Sequence, residues 1–369
     1  MNIPSFRYSF DEQDAREVSD SIYTLMKNKE FLTMGRYGEE LENNFSHYNN
    51  NEFVIAMSSG TAALESILLA YDISGKDVAV PSNTFTATIV AIEKAGGRPV
   101  YIDIDDDMGM CFEDLKLKKT QNMSAVLIVH IGGYISPNIN KIKQFCLEQK
   151  LFLFEDAAHA MGSEFNGVKA GNFGDAAAFS LFSTKLITAG EGGIVCCNDK
   201  EKYNKILIMR DHGQKTDNVV TEKGYNWRLG EFHSILALNQ LKNITRFIEI
   251  RRKSAEIYDE YFLNNKKLNR IQHNEKSKSN YYKYILMPNF EINVEEFYKI
   301  MKEKYNIMMA GRVYPIPCHQ QKAFEVKGLR LIKTEYISKR HICVPIFSDM
   351  KEKEVHYIGE SIIEALSDY

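Results

Sequence analysis

The sequence predicts an α/β protein of two lobes, the larger one built from βαβ units around a mainly parallel sheet. Three observations carry this reading. Short apolar runs rich in β-branched and aromatic residues alternate with segments of helical period through the first two thirds of the chain. The 369 residues exceed the roughly 250 to 300 that one hydrophobic core usually organises. The composition, 44% hydrophobic and 26% charged, supports a sizeable core and excludes a largely disordered or collagen-like chain.

Seven runs are expected as strands of the larger lobe: 53–57, 77–81, 98–104, 124–131, 151–156, 175–181 and 192–198. Helical segments lie between them. In 61–71, Leu64, Ile67, Leu68 and Tyr71 recur at i, i+3, i+4 and i+7, one face of a 3.6-residue period. The segment 86–97 ends in two glycines suited to a left-handed cap. In 136–150 a Ser/Pro/Asn start signal precedes the stripe Ile139, Ile142, Phe145 and Cys146. Such helices cover both faces of a parallel sheet. From about Gly230 to Phe262 the apolar positions Leu241, Ile244, Ile248, Ile257 and Tyr261 predict one long helix that bridges to the second lobe. There, 273–280 reads as a polar loop, 281–288 as a strand, 294–305 as a helix and 351–369 as a terminal helix, together a small α+β unit. The expected division is 1–250 and 251–369.

Forty-six basic against 49 acidic residues leave a net charge of −3 without a basic stripe. That argues against nucleic acid as a partner. The first twenty residues lack the basic and apolar regions of a secretory signal. The most apolar stretches, 124–134 and 151–154, fall short of the roughly 20 residues of a membrane helix. No membrane partner is expected. The six cysteines show neither CxxC nor Cys/His spacing, so reduced thiols in a cytoplasm and no metal site are expected.

The chemistry-bearing residues fall at strand ends. After the first strand, SSGTAALE (58–65) places Gly60 in a turn that opens a helix, whose free N–H groups form an anion seat. That Ser58, Ser59 and Thr61 merely cap this helix stays open here. The strand 151–156 runs into Glu155 and Asp156, where α/β sheets place ligands; capping of the next segment is the alternative for Asp156, and a loop role for His159. Ser180 and Lys185 follow the strand 175–181 and precede the glycine-rich AGEGG. A lysine hemmed in by apolar residues keeps part of its amine neutral and nucleophilic. A phosphate seat, an acid and a lysine in this order meet the needs of pyridoxal phosphate: a phosphate anchor, a partner for the pyridine nitrogen and an anchor for the aldehyde.

These residues carry a family resemblance. The segments LTMG (32–35), SSGTAALE (58–65), PSNTFTATIVAIEKAGGRPVYIDID (81–105), EDAAHAMG (155–162), FSLFSTKLITAGEGG (179–193), RDHG (210–213), GYNWRLGEF (224–232), NQL (239–241) and VYPIPCH (313–319) resemble the DegT/StrS sugar aminotransferases, fold-type I pyridoxal-phosphate enzymes. The resemblance implies a large domain with a mostly parallel seven-stranded sheet, a smaller C-terminal domain, and a homodimer that shares residues between its two active sites. By position, Lys185 resembles the lysine that holds the cofactor aldehyde and later moves a proton between substrate Cα and cofactor C4′. Asp156 resembles the carboxylate at the pyridine nitrogen. Gly60, Thr61 and Ser180 look like the phosphate cradle, Asn226 like the residue that reaches this phosphate from the partner subunit, Phe85 like the aromatic on the ring, and His159 like the Gln or His beside it.

Lysine at 185 also resembles the aminotransferase branch, because the dehydratase branch has histidine there. The implied reaction takes an amino group from an amino acid, usually L-glutamate, to a keto-sugar, expected to be nucleotide-linked and destined for a surface polysaccharide or another amino-sugar product. Arg36, His212, Arg228, Tyr314, Cys318 and His319 lie in motifs that border the substrate in relatives. His233, Ser234 and Ile235 depart from the usual polar residue and two alanines, a matter of packing rather than chemistry. Alternatives are the same transfer to a smaller ketone, such as a cyclitol or short phosphorylated ketose, or a non-catalytic regulatory relative. A nicotinamide-dependent oxidoreductase is disfavoured, since no GxGxxG joins a strand to a helix.

Overall fold

The computed structural model describes residues 1–216, 219–271 and 274–367. Position 273 of the expected loop and positions 368 and 369 of the expected terminal helix lie outside the described residues. The larger lobe contains α1 (Glu12–Lys27), α2 (Arg36–Asn49), β1 (Phe53–Met57), α3 (Gly60–Ala70), β2 (Asp77–Pro81), α4 (Thr86–Lys94), β3 (Arg98–Ile102), α5 (Phe112–Lys118), β4 (Met123–Val129), α6 (Ile139–Gln149), β5 (Phe152–Asp156), β6 (Ala176–Ser180), β7 (Gly193–Cys197) and α7 (Lys200–Arg210).

The seven strands form one sheet in the order β1-β7-β6-β5-β4-β2-β3. Only β7 runs against its neighbours, pairing antiparallel with β1 and β6; the other pairs are parallel. Burial on both faces explains the continuous apolar runs: every residue of β2, β6 and β7 is buried. Along β2, Ala79 packs into the cluster that holds Phe45 and Phe179, while Val78 and Val80 pack with Ile67 and Leu68 of α3 on the other face. The parallel strands thereby direct their carboxyl ends to one edge, where the ligand crevice of such sheets lies.

The helix expected from Gly230 to Phe262 is two helices, α8 (Glu231–Lys242) and α9 (Ile244–Phe262). The break is at Asn243, with φ −95° and ψ −1°. Its Nδ2 donates to Asp14 Oδ1 at 2.9 Å and to the Asn239 carbonyl at 3.1 Å. Apolar periodicity continues across the joint, so only the side-chain chemistry of one asparagine marks it. On α8, Ser234 and Ile235 are buried, and Ile235 packs with Leu25 and Tyr37.

The smaller lobe comprises β8 (Leu268–Arg270), β9 (Tyr284–Pro288), α10 (Val294–Tyr305), α11 (Ile332–Arg340), β10 (Ile342–Val344) and α12 (Glu352–Ala365). Its sheet is antiparallel, β8-β9-β10. In α9, Ile244, Phe247 and Ile248 join the larger core, and Ala255, Tyr258 and Phe262 the smaller. Ile3 also packs into the smaller core and exchanges backbone hydrogen bonds with the Asn306–Met308 segment. We propose a domain boundary inside α9, with the first residues of the chain assigned to the smaller lobe. The strand expected from 281 begins at Tyr284, because Tyr281 has a positive φ and the Lys283 N–H bonds the Gly132 carbonyl at 3.0 Å instead of a neighbouring strand. No described helix is long and apolar enough to cross a membrane.

Candidate active site

A cavity of about 470 Å³ opens where the carboxyl ends of β5 and β6 meet the amino ends of α3 and α4, with the smaller lobe as its far wall. It brings together Gly60, Thr61, Phe85, Asp156, His159, Ser180, Lys185 and Tyr314, residues up to 254 positions apart.

At one end α3 begins. Ser59 Oγ accepts the Ala62 N–H at 3.1 Å and the Ser59 carbonyl accepts the Ala63 N–H, so Ser59 is the cap. The Gly60 and Thr61 amides of the first turn have no acceptor among the described residues and border the cavity. A Cβ on Gly60 would lie 2.9 Å from Ser180 Cβ, so only glycine lets the helix start press against the end of β6. Ser180 Oγ accepts the Phe182 N–H at 3.3 Å and keeps its proton for another partner. Two open amides, a hydroxyl and the positive end of a helix suit a phosphate.

Asp156, the last residue of β5, is 6% exposed. Its Oδ2 accepts from Thr88 Oγ1 at 2.7 Å, and Thr84 Oγ1 lies 2.7 Å behind Thr88. Its Oδ1 accepts the Ala158 N–H at 3.1 Å. No described cation pairs with it, so its charge faces the cavity. Glu155 points to the other side, fully buried. It lies 2.9 Å from His130 Nε2 and accepts the N–H groups of Gly171, Phe173 and Gly174 at 2.7, 2.7 and 2.8 Å.

Lys185 sits in the turn after β6, with its N–H on the Phe182 carbonyl. Its amine makes no ion pair or hydrogen bond among the described residues and stands 5.0 Å from the centre of the Tyr282 ring. Burial lowers its pKa, Asp156 raises it in part and Lys283 lowers it further, leaving about 8. A usable share of neutral amine therefore exists near neutral pH. His159 stacks on Tyr282, ring centres 4.2 Å apart. Its Nδ1 accepts the Gly132 N–H at 3.3 Å, and Tyr314 Oη lies 3.5 Å from Nε2. Burial, then the charges of Lys185 and Lys283, hold its pKa well below the usual histidine value, which keeps the ring neutral. Phe85 is 57% exposed and its ring is tilted 40° to that of Tyr314, centres 5.8 Å apart.

The other residues singled out in the sequence do not line this cavity. Arg36 pairs with Glu30 at 2.8 Å and covers the Tyr37 ring. Arg228 pairs with Asp211 at 2.5 Å. His212, with positive φ, and Asn226 are exposed. His319 is 1% exposed, with Nδ1 2.7 Å from Ser82 Oγ and Nε2 3.5 Å from Glu335. Cys318 is buried against the Thr84 carbonyl. The pair ties the 317–320 segment to the end of β2, a structural role. Sequence reasoning passed over Thr84 and Thr88, whose i,i+4 spacing at the start of α4 was the available signal, and Tyr282, Lys283 and Arg251, which only the docking of the smaller lobe brings in.

Residues 12–363 match the DegT/DnrJ/EryC1/StrS aminotransferase family. The chain is 32% identical over 375 residues to a GDP-perosamine synthase of Escherichia coli O157:H7, covering 99% of both chains. It is 28% identical over 373 residues to a UDP-4-amino-4,6-dideoxy-N-acetyl-beta-L-altrosamine transaminase of Campylobacter jejuni, covering 97% of each. Its fold superposes with a TM-score of 0.90 on a Streptococcus pneumoniae chain solved in its pyridoxal-phosphate form, 24% identical, covering 100% of this chain and 99% of that one. The chain belongs to the DegT/DnrJ/EryC1/StrS aminotransferase family and is a pyridoxal-phosphate-dependent aminotransferase.

Proposed function

We propose that this enzyme moves an amino group from L-glutamate to the keto group of a nucleotide-linked sugar that goes on to a surface glycan. The observation that carries the reading is the amine of Lys185, unpaired among the described residues and lowered in pKa to about 8, facing the same cavity as the carboxylate of Asp156. Pyridoxal phosphate fits the groups found there: phosphate at the open amides of Gly60 and Thr61 and the Ser180 hydroxyl, ring nitrogen at Asp156, aldehyde at Lys185. Bound so, it supplies a carbonyl for the amine and a ring that accepts the electrons of a broken Cα–H bond.

The residues then divide the work. Asp156, oriented by Thr88 and the Ala158 N–H, holds a proton on the ring nitrogen. Phe85 and the neutral His159 border the ring. With the cofactor bound, Lys185 would hold its aldehyde, give way to the donor's amine, and move the proton between the donor Cα and cofactor C4′, with the opposite transfer serving the keto-sugar. Both curated relatives above bear names of nucleotide-linked amino sugars, which favours a nucleotide-linked acceptor over a smaller ketone. An absorbance spectrum tests the first half. A visible band from the lysine-bound cofactor is expected, lost on adding L-glutamate with one 2-oxoglutarate formed per site; a band that glutamate leaves unchanged refutes the donor.

The active unit in this reading is a homodimer. Phe31 at 83% exposure, together with the exposed Phe85 and Phe182 near the cavity mouth, offers apolar surface for a second copy. Asn226, exposed and outside its own cavity, is proposed to reach the partner's phosphate site. Asn226→Ala should then raise the cofactor Kd about tenfold, the loss of one hydrogen bond to a charged group, without changing the sedimentation coefficient. A monomer with full cofactor affinity would overturn the shared site.

A further inference from the structure

The wall of the cavity supplied by the smaller lobe carries cations that the roles above do not use. Lys283 lies just before β9, and its ammonium has no ion pair or hydrogen bond among the described residues. It stands 5.2 Å from the centre of the Tyr282 ring, the ring that Lys185 approaches to 5.0 Å. Arg251, in the middle of α9, is 2% exposed and makes no ion pair among the described residues, although the charge of Asp349 acts on it from a distance. Its Nε donates to Ser348 Oγ at 2.9 Å, and its Nη1 to the carbonyls of Tyr281 and Ile346 at 3.0 and 3.1 Å. Nη2 has no acceptor among the described residues. Burial lowers the pKa of both groups, and their mutual repulsion lowers that of Lys283 further. Arg312 also borders the cavity, but its terminal nitrogens are committed to Glu295 and the Ser338 carbonyl.

A buried guanidinium and a half-buried ammonium, neither ion-paired to a described carboxylate, are costly unless an anion joins them. The cofactor phosphate is not that anion, because its seat at the start of α3 belongs to the opposite lobe. We propose that Lys283 and Arg251 form the subsite for the α-carboxylate of the amino-acid donor. This rests on the aminotransferase reading above and adds the donor's binding site to it.

Position decides between the two anions that a substrate brings. The α-carboxylate is bonded to Cα, the atom from which Lys185 takes a proton, so its cation must border the same small space as Lys185. Tyr282, flanked by both amines, defines that space. The diphosphate of a nucleotide-linked sugar sits at the anomeric oxygen, beyond the ring that carries the keto group. A cavity of about 470 Å³ that takes the cofactor and a reacting sugar leaves the nucleotide outside its mouth.

The test uses the cofactor-loaded enzyme and calorimetric titration with glutarate, which carries the carboxylates of the donor but no amine. UDP and GDP are titrated in parallel. Lys283→Met is expected to raise the glutarate Kd about 10- to 100-fold, the range for one hydrogen bond to a charged group, with the UDP and GDP affinities unchanged. The KM for L-glutamate should rise in proportion while the KM for the keto-sugar stays put, and Lys283→Arg should restore most of the affinity. Thermal melting of Lys283→Met near the parent's Tm checks the fold. An unchanged glutarate Kd overturns the proposal, and so does a loss of UDP or GDP affinity instead. Should the parent bind glutarate through Lys283 yet transfer no amino group, the function fails and the subsite stands; should it transfer amino groups from donors that ignore Lys283, the subsite alone fails.

Discussion

Lys185→Met is expected to abolish turnover and yet stabilise the cofactor-free protein. The amine of Lys185 is the group assigned here to hold the aldehyde and to carry the proton between two carbons. Losing a positioned proton-transfer group costs up to about 10⁴-fold in rate, and the lost anchoring adds to that. The stability gain has a separate cause. Lysine titrates near 10.5 in the unfolded chain and near 8 here, so at neutral pH the folded protein carries a charge that its surroundings disfavour. The depression corresponds to about 3 kcal/mol, an upper value for the gain because methionine gives up the amine's approach to the Tyr282 ring.

The sign follows from proton counts. Between pH 8 and 10.5 the unfolded chain binds the proton more fully than the folded one, so wild-type stability rises with pH across this window. Urea titrations should show the variant's advantage in full below pH 8 and vanishing towards 10.5. Cofactor capture by the wild-type apoprotein needs the neutral amine, so its rate should climb roughly tenfold per pH unit below about 8 and then level off. An equal urea midpoint for both proteins at pH 7 and pH 10 would show that Lys185 is not held in a disfavoured state.

The parts legible in the sequence share one physical property: they are local. A strand buried on both faces must be apolar throughout, so all seven strands could be placed within two residues of their ends. Glu155 and Asp156 were both visible as acids at a strand's end, but not that they do different work. Successive residues of a strand face opposite sides, so Asp156 enters the cavity while Glu155 holds the 171–174 loop. His319 lies in a motif that resembles a substrate border, but its packing against Ser82, 237 positions away, is not written in its neighbours. Arg251, Tyr282 and Lys283 escaped notice because their meaning depends on how the smaller lobe docks, and nothing within a few residues of them records that contact.

Glu155→Ala is expected to be among the most destabilising single changes, costing about 3 to 5 kcal/mol, because several donors lose their shared acceptor at once and each buried donor left unsatisfied costs about 1 to 3 kcal/mol. The carboxylate satisfies three backbone N–H groups and lies against His130 with no exposed surface, so alanine strands four donors away from water. The loop has no easy retreat: Gly171 has φ +90°, and a Cβ on Gly174 would lie 2.2 Å from the Leu153 carbonyl oxygen. Asp156→Ala, one residue on, strands the Thr88 hydroxyl and the Ala158 N–H and removes a charge that no described cation pairs with directly. It should cost about 1 to 2 kcal/mol while abolishing turnover. Urea midpoints of the two variants therefore separate the roles of adjacent acids. Matching midpoint shifts would mean that the faces of β5 are not divided between support and chemistry. The predicted order, Glu155→Ala well below Asp156→Ala, would mean that the carboxylate facing the ring is held in place by the one facing away from it.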